Sequence, residues 1–123
     1  MSGQSADFKN DIGLLPTVVP QSIAVGVVNG VGQDGVLYNE HGLFVYVGAI
    51  TGVSTVDAKV QESSVVGSGY VDIPGAAITQ IAAANQVAII NFKRTLRFTR
   101  AVVTVGGTAA LVAAAIFGNK KSY

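Results

Sequence analysis

The chain has 123 residues, the size of one domain with its own core. It has no cysteine, which excludes disulfides and thiolate metal sites, and its formal charge of +1 gives no general attraction to nucleic acid or anionic lipid. Charged residues make up 12%, roughly half the ~25% usual for soluble domains, so we expect protein to cover part of the surface. Fifteen glycines between short Val- and Ile-rich runs predict an all-β fold.

Residues 1–20 are predicted to form an extended N-terminal arm. Pro16 and Pro20 remove backbone donors and, with Gly13, interrupt any regular element. The arm has too many large apolar side chains for a solvated tail, so we expect it to become ordered by docking on a partner. Those side chains are Phe8, Ile12, Leu14, Leu15, Val18 and Val19.

Residues 21–118 are predicted to form a single antiparallel β-sandwich, jelly-roll-like or Ig-like, followed by a polar tail at 119–123. Seven or eight strands are expected, with turn signals roughly every 8–12 residues. The predicted strands include 22–28, 36–38, 43–50, 54–62, 70–73 (stopped by Pro74-Gly75) and 86–92, whereas 78–85 is ambiguous between strand and one helical turn. The predicted core contains Ile23, Val25, Val27, Val45, Val47, Val56, Val60, Ile89, Phe98 and Val102.

The stretch 96–117 allows two interpretations. The β-branched run Val102-Val103-Thr104-Val105, followed by Gly106-Gly107 and a second apolar run, favours a hairpin that turns at the glycines. The alternative is a membrane-spanning helix over 101–118, which contains no charged residue and has several alanines. We favour the hairpin because of the β-branching and the turn signal, and therefore expect no membrane association.

No residue set predicts catalysis, a cofactor or a metal site. The single histidine, His41, is interpreted as a polar turn residue, and the carboxylates Asp57, Glu62 and Asp72 are assigned to solvent-facing positions or turns. Four basic residues (Lys93, Arg94, Arg97 and Arg100) alternate with Phe92 and Phe98. This superficially suits single-stranded nucleic acid, but core aromatics flanked by solvated basic residues is the preferred interpretation. Of Arg97 and Arg100, one is expected to approach the inner side and to need a carboxylate partner.

Several motifs resemble those of a family of small virion proteins of tailed bacteriophages. These motifs are Val60-Gln61-Glu62-Ser63, Tyr70-Val71-Asp72-Ile73, and Arg97-Phe98-Thr99-Arg100 leading into Val102-Val103-Thr104-Val105-Gly106-Gly107-Thr108. The resemblance covers residues 54–117. The chain departs from the family pattern at Ser64-Val65-Val66, where an acidic pair is usual, and in the alanine run after Thr108.

The resemblance implies a β-sandwich that decorates or cements a capsid and has no enzymatic activity. The expected partners are the major capsid protein and copies of the chain itself, as a homo-oligomer on the capsid surface of the virion, without nucleic acid. The alternative is a tail or head–tail connector component. The expected partner contacts are Phe8, Ile12, Leu14, Leu15, Val18, Val19, Arg94 and Arg97.

Overall fold

A computed structural model describes residues 12–36 and 38–120, and all of the regular structure in them is β-strand. The seven strands are β1 (Ile12–Asn29), β2 (Gln33–Asp34), β3 (Tyr38–Thr51), β4 (Thr55–Ser63), β5 (Val71–Ala77), β6 (Gln86–Phe92) and β7 (Phe98–Lys120). They pair antiparallel in one sheet that is nearly closed into a barrel-like shape. The predicted all-β antiparallel fold is therefore confirmed.

The 23-residue strand β7 is the centre of this sheet. Strand β3 pairs with residues 109–120 of β7, and β4 pairs with residues 98–106. Val112 pairs with both Gln21 and Val47, and Val103 with both Val28 and Ala58. Because a strand has only two edges, β1 lies along one edge of β7, while β3 and β4 follow one another along the other. Strands β6 and β5 then extend the sheet beside β3 and β4, respectively.

The sheet bends in the middle and folds over on itself. Two halves result: the first half-sheet contains β3, β6, residues 12–24 and residues 109–120, and the second contains β2, β4, β5, residues 26–29 and residues 98–105. Thr17 shows the closure directly, because its neighbours Pro16 and Val18 pair with Ala115 and Ala114. Its own hydroxyl accepts a hydrogen bond from the Ala101 N–H, 3.1 Å away, and donates to the Val31 carbonyl.

The bend lies at Gly106-Gly107, where the predicted hairpin is wrong. Strand β7 continues through both glycines, and β3 ends and β4 begins opposite them, at Thr51 and Thr55. Gly107 has φ +90°, and a Cβ there would collide with the carbonyl of Val53. Glycine is needed at this position because the strand must both bend and approach a neighbouring backbone closely. The glycine signal was real, but it marks a bend rather than a chain reversal.

The helical alternative for 101–118 is also wrong, since the entire stretch lies in β7. Residues 12–36 and 38–120 contain no helix long and apolar enough to cross a membrane.

One core fills the space between the two half-sheets. Six of the ten predicted core residues are buried: Ile23, Val45, Val47, Val56, Val60 and Val102. Val25, Val27 and Ile89 are about 60% exposed, and Phe98 is half-buried, so these four assignments are wrong. The register shifts between Ala24 and Gly26, which turns Val25 and Val27 outward and brings Val28 against the core. A bulge of this kind reverses the inside–outside alternation of every later residue.

Several predicted boundaries also differ. Residues 12–20 of the predicted arm form the first part of β1, residues 1–11 lie outside the described part, and β7 continues into the predicted tail as far as Lys120. No strand covers 36–38 as predicted: β2 precedes it and β3 begins at Tyr38. Pro74-Gly75 does not end β5, which bulges away from β4 and continues to Ala77.

Candidate functional site: an apolar outer face

The outer face of the first half-sheet is apolar across four neighbouring strands. The register places Pro16, Ala115, Phe44 and Ile89 in one row from β1 through β7 and β3 to β6. We call the whole surface the apolar outer face. It consists of Leu14, Pro16, Phe44, Tyr46, Val87, Ile89, Leu111, Ala113, Ala115 and Phe117.

No charged residue occurs in the strand segments that build this face, which are 12–29, 42–51, 86–92 and 101–119. Leu14 is 64% exposed and Ile89 is 60% exposed, so large apolar side chains lie open at both margins. Between Leu14 and Phe44 a shallow groove of about 270 Å³ is lined by Pro16, Pro20 and Ala113 among others. A contiguous apolar surface of this kind commonly marks a protein–protein contact.

The outer face of the second half-sheet is different, since it carries ion pairs and hydrogen-bonded polar groups. Lys59 pairs with Asp72 at 3.0 Å, and the Gln61 side chain donates a further hydrogen bond to Asp72. Arg100 donates from Nε and Nη2 to the Gln61 side-chain oxygen, and its guanidinium lies 4.2 Å from the centre of the Tyr70 ring. Hydrogen bonding to Gln61 and Lys59 lowers the pKa of Asp72. This face is suited to water, whereas the apolar outer face is not.

The predicted partner-contact residues are distributed over several environments. Leu14 lies on the apolar outer face and Val19 is 59% exposed, so both are available to a partner. Val18 is a core residue and Leu15 packs against the core, which leaves the side chain of Val18 unavailable and corrects that assignment. Phe8 lies outside the described residues, and the structure describes only the backbone of Ile12.

The two predicted basic contacts, Arg94 and Arg97, lie away from the apolar outer face. Arg97 forms an exposed ion pair with Asp34 at 2.7 Å, and this hydrogen bond lowers the pKa of Asp34. Arg94 is half-buried, and its Nε donates to Nε2 of His41 at 3.3 Å. The expectation that Arg97 or Arg100 approaches a carboxylate on the inner side is wrong: Arg97 precedes β7 on the surface, and Arg100 contacts the amide of Gln61 instead.

Glu62 holds the loop between β6 and β7. Its carboxylate accepts hydrogen bonds from the N–H groups of Thr95 (2.7 Å) and Leu96 (3.0 Å) and from the Thr95 hydroxyl (2.9 Å). Burial alone would raise the pKa of Glu62, but these hydrogen bonds, with the positive charge of Arg94, outweigh burial and lower the pKa. Glu62 is buried, not solvent-facing as predicted, and its role is to organise the loop.

A cavity of about 750 Å³ opens where the end of β6 faces the bulge of β5. Its wall includes Lys93 and Arg94 but also the carboxylate of Glu40, so the opposite charges do not define one ligand class. His41 contributes to this wall from within β3, is 5% exposed and is hydrogen-bonded, which corrects its assignment to a turn. Within residues 12–36 and 38–120, no group of three or more His, Asp or Glu side chains is placed to hold a metal ion.

Two important residues were missed although alternation could have identified one of them. Val56, Ala58 and Val60 were correctly predicted to face inward, and Glu62 continues the same alternation. Ser54 gave no such signal, yet its buried hydroxyl accepts hydrogen bonds from the N–H groups of Thr108 and Ala109 at the bend.

The sequence matches no protein-family model, and comparison with curated proteins finds no significant match.

Proposed function

We propose that this chain is a structural virion protein of a tailed phage that binds and stabilises the capsid shell as a decoration or cement protein. The observation that carries the proposal is the contrast between the two outer faces. The first half-sheet presents an uncharged apolar surface four strands wide, while the second is covered by charged and hydrogen-bonded side chains. The motifs that resemble small phage virion proteins supply the identity of the partner.

The mechanism is stabilisation by contact. Covering one of the more exposed large side chains of the apolar outer face contributes on the order of 1 kcal/mol, since full burial of such a residue is worth about 1.5–3 kcal/mol. A protein that binds the assembled shell, but not its separated subunits, shifts the equilibrium toward the shell by mass action. Repetition over the many equivalent sites of a shell makes this modest contribution effective.

The test is binding of the full chain to capsids assembled from the major capsid protein encoded with it. We expect Ala113→Lys, which places a charge within the apolar outer face, to weaken co-sedimentation with capsids by at least about 10-fold. Thr104→Lys is the matched control, because it introduces the same charge on the same strand at an exposed position of the second half-sheet. Circular dichroism should show both variants folded.

Equal binding of both folded variants would contradict the use of this face, and absence of wild-type binding would contradict capsid decoration itself. Quantitative mass spectrometry of virions then distinguishes the tail or connector alternative. A decoration protein should be present in a constant ratio to the major capsid protein, whereas a tail or connector component should be present in far fewer copies.

A further inference from the structure

The sheet has an unprotected edge at β6. In residues 12–36 and 38–120, β6 pairs only with β3, so the outer edge of Gln86–Phe92 has no strand beside it. The β3–β6 register is unbroken over seven consecutive pairs, from His41 with Phe92 to Val47 with Gln86. The sequence QVAIINF contains no charge, proline or glycine. A regular, uncharged edge of this kind readily accepts another strand.

The other outer strands of the same sheet carry the features that normally prevent such pairing. Strand β5 has Asp72, Pro74 and a bulge in which Gly75 has φ +78°. The first part of β1 has two prolines and register shifts, and Thr17 there is bonded to Val31. Charges, prolines and bulges block edge-to-edge contact. Their presence on β1 and β5, and their absence from β6, single out one edge for a partner.

We propose that β6 pairs antiparallel with β6 of a second copy of this chain, across a two-fold axis close to Ile89. An uncharged strand can face itself without opposing like charges, and a two-fold contact between identical surfaces closes as a dimer. With Ile89 opposite Ile89 of the second copy, Val87 lies opposite Asn91, and their side chains point to the same outer face. The two apolar outer faces then join into one continuous surface, eight strands wide in the order β1-β7-β3-β6 and its symmetric repeat.

This dimer deepens the proposed function and rests on it for its biological meaning, because the joined surface would be the one that meets the shell. It is nevertheless measured on the isolated chain without capsids. Failure of dimerisation therefore leaves capsid binding as a separate question, and failure of capsid binding leaves the dimer intact.

The first experiment is sedimentation equilibrium of the full chain and of three folded variants. We expect wild type to be a dimer at ~100 µM and Ile89→Lys to weaken dimerisation by at least about 30-fold, because symmetry places two like charges together. Leu14→Lys is the matched control: it introduces the same charge at the opposite margin of the apolar outer face and should remain dimeric. Mixing Ile89→Lys with Ile89→Glu should restore a heterodimer, since opposite charges then face each other.

Four results would overturn the proposal. They are a monomeric wild type at this concentration, open-ended association into larger species, dissociation by Leu14→Lys as strong as that by Ile89→Lys, or no association in the Lys/Glu mixture. Hydrogen exchange gives a second measurement on wild type. The outward amides of 86–92 should gain protection as the concentration rises, and unchanged exchange in a dimer would also overturn pairing through β6.

Discussion

Replacing Gly107 with alanine should destabilise the protein because the bend of the central strand depends on that position. Positive φ costs a residue with a Cβ about 1–3 kcal/mol. The new Cβ would also meet the Val53 carbonyl and lie 2.8 Å from the Ser54 Cα, so backbone must move, at a further cost of roughly 1–3 kcal/mol. Reduced entropy of the unfolded chain returns about 0.4–1 kcal/mol. We therefore expect a net loss of about 3 kcal/mol.

The neighbouring glycine provides the control. A Cβ at Gly106 would meet only the Thr55 hydroxyl, at 2.9 Å, and this is the end of a side chain that can rotate away. Gly106 is also not among the glycines with positive φ. Gly106→Ala should therefore change the free energy of unfolding by less than about 1 kcal/mol.

Urea denaturation followed by circular dichroism measures both variants. With a slope of about 2 kcal/mol/M, Gly107→Ala should lower the midpoint by roughly 1.5 M, while Gly106→Ala should remain close to wild type. Equal midpoints for the two variants, or a loss below about 1 kcal/mol for Gly107→Ala, would refute the explanation of the bend.

Two further predictions concern buried polar groups. Glu62 has a lowered pKa in the folded protein, so its stabilising contribution is fully present above its ordinary pKa of 4.5 and is lost as the pH falls through the lower, folded value. Glu62→Gln should accordingly reduce the pH dependence of unfolding in this acid range, and parallel wild-type and variant curves would contradict the assignment. Thr17→Val should cost about 1–3 kcal/mol in chemical denaturation, because it leaves the buried Ala101 N–H without the hydroxyl acceptor. The hydroxyl of Thr99 is buried with no hydrogen-bond partner in the described part of the chain, so Thr99→Val should be neutral or stabilising; an equal loss in both threonine variants would contradict this distinction.

The local alternation of side chains was predictable wherever a strand was regular. Strand β4 is the clearest case, since Val56, Ala58 and Val60 face inward as expected, and the strand 86–92 was predicted with its observed limits. Prediction failed at irregularities that involve a partner strand. The bulge after Ala24 reversed the orientation of the residues that follow, and only the pairing with β7 reveals it.

The candidate surface was predicted only in part. Low charge indicated that protein covers some of the molecule, but the sequence did not show where. The run LFVYVGAI in β3 is apolar at successive positions and was interpreted as a strand covered on both faces. The structure buries Leu43, Val45 and Val47 in the core and leaves Phe44 and Tyr46 on an outer face that nothing in the described chain covers. Sequence alone cannot distinguish these cases, because both require the same apolar residues.

What the sequence by itself determined is the all-β class, the strand propensity of most segments and the shortage of charge, because these follow from composition and short-range periodicity. Only the tertiary structure decided that Gly107 bends a strand instead of reversing the chain, because that depends on the Val53 backbone beside it. It likewise decided which of two apolar strand faces became the core and which edge remained open. Those outcomes arise from contacts between residues distant in the chain, and no local pattern contains them.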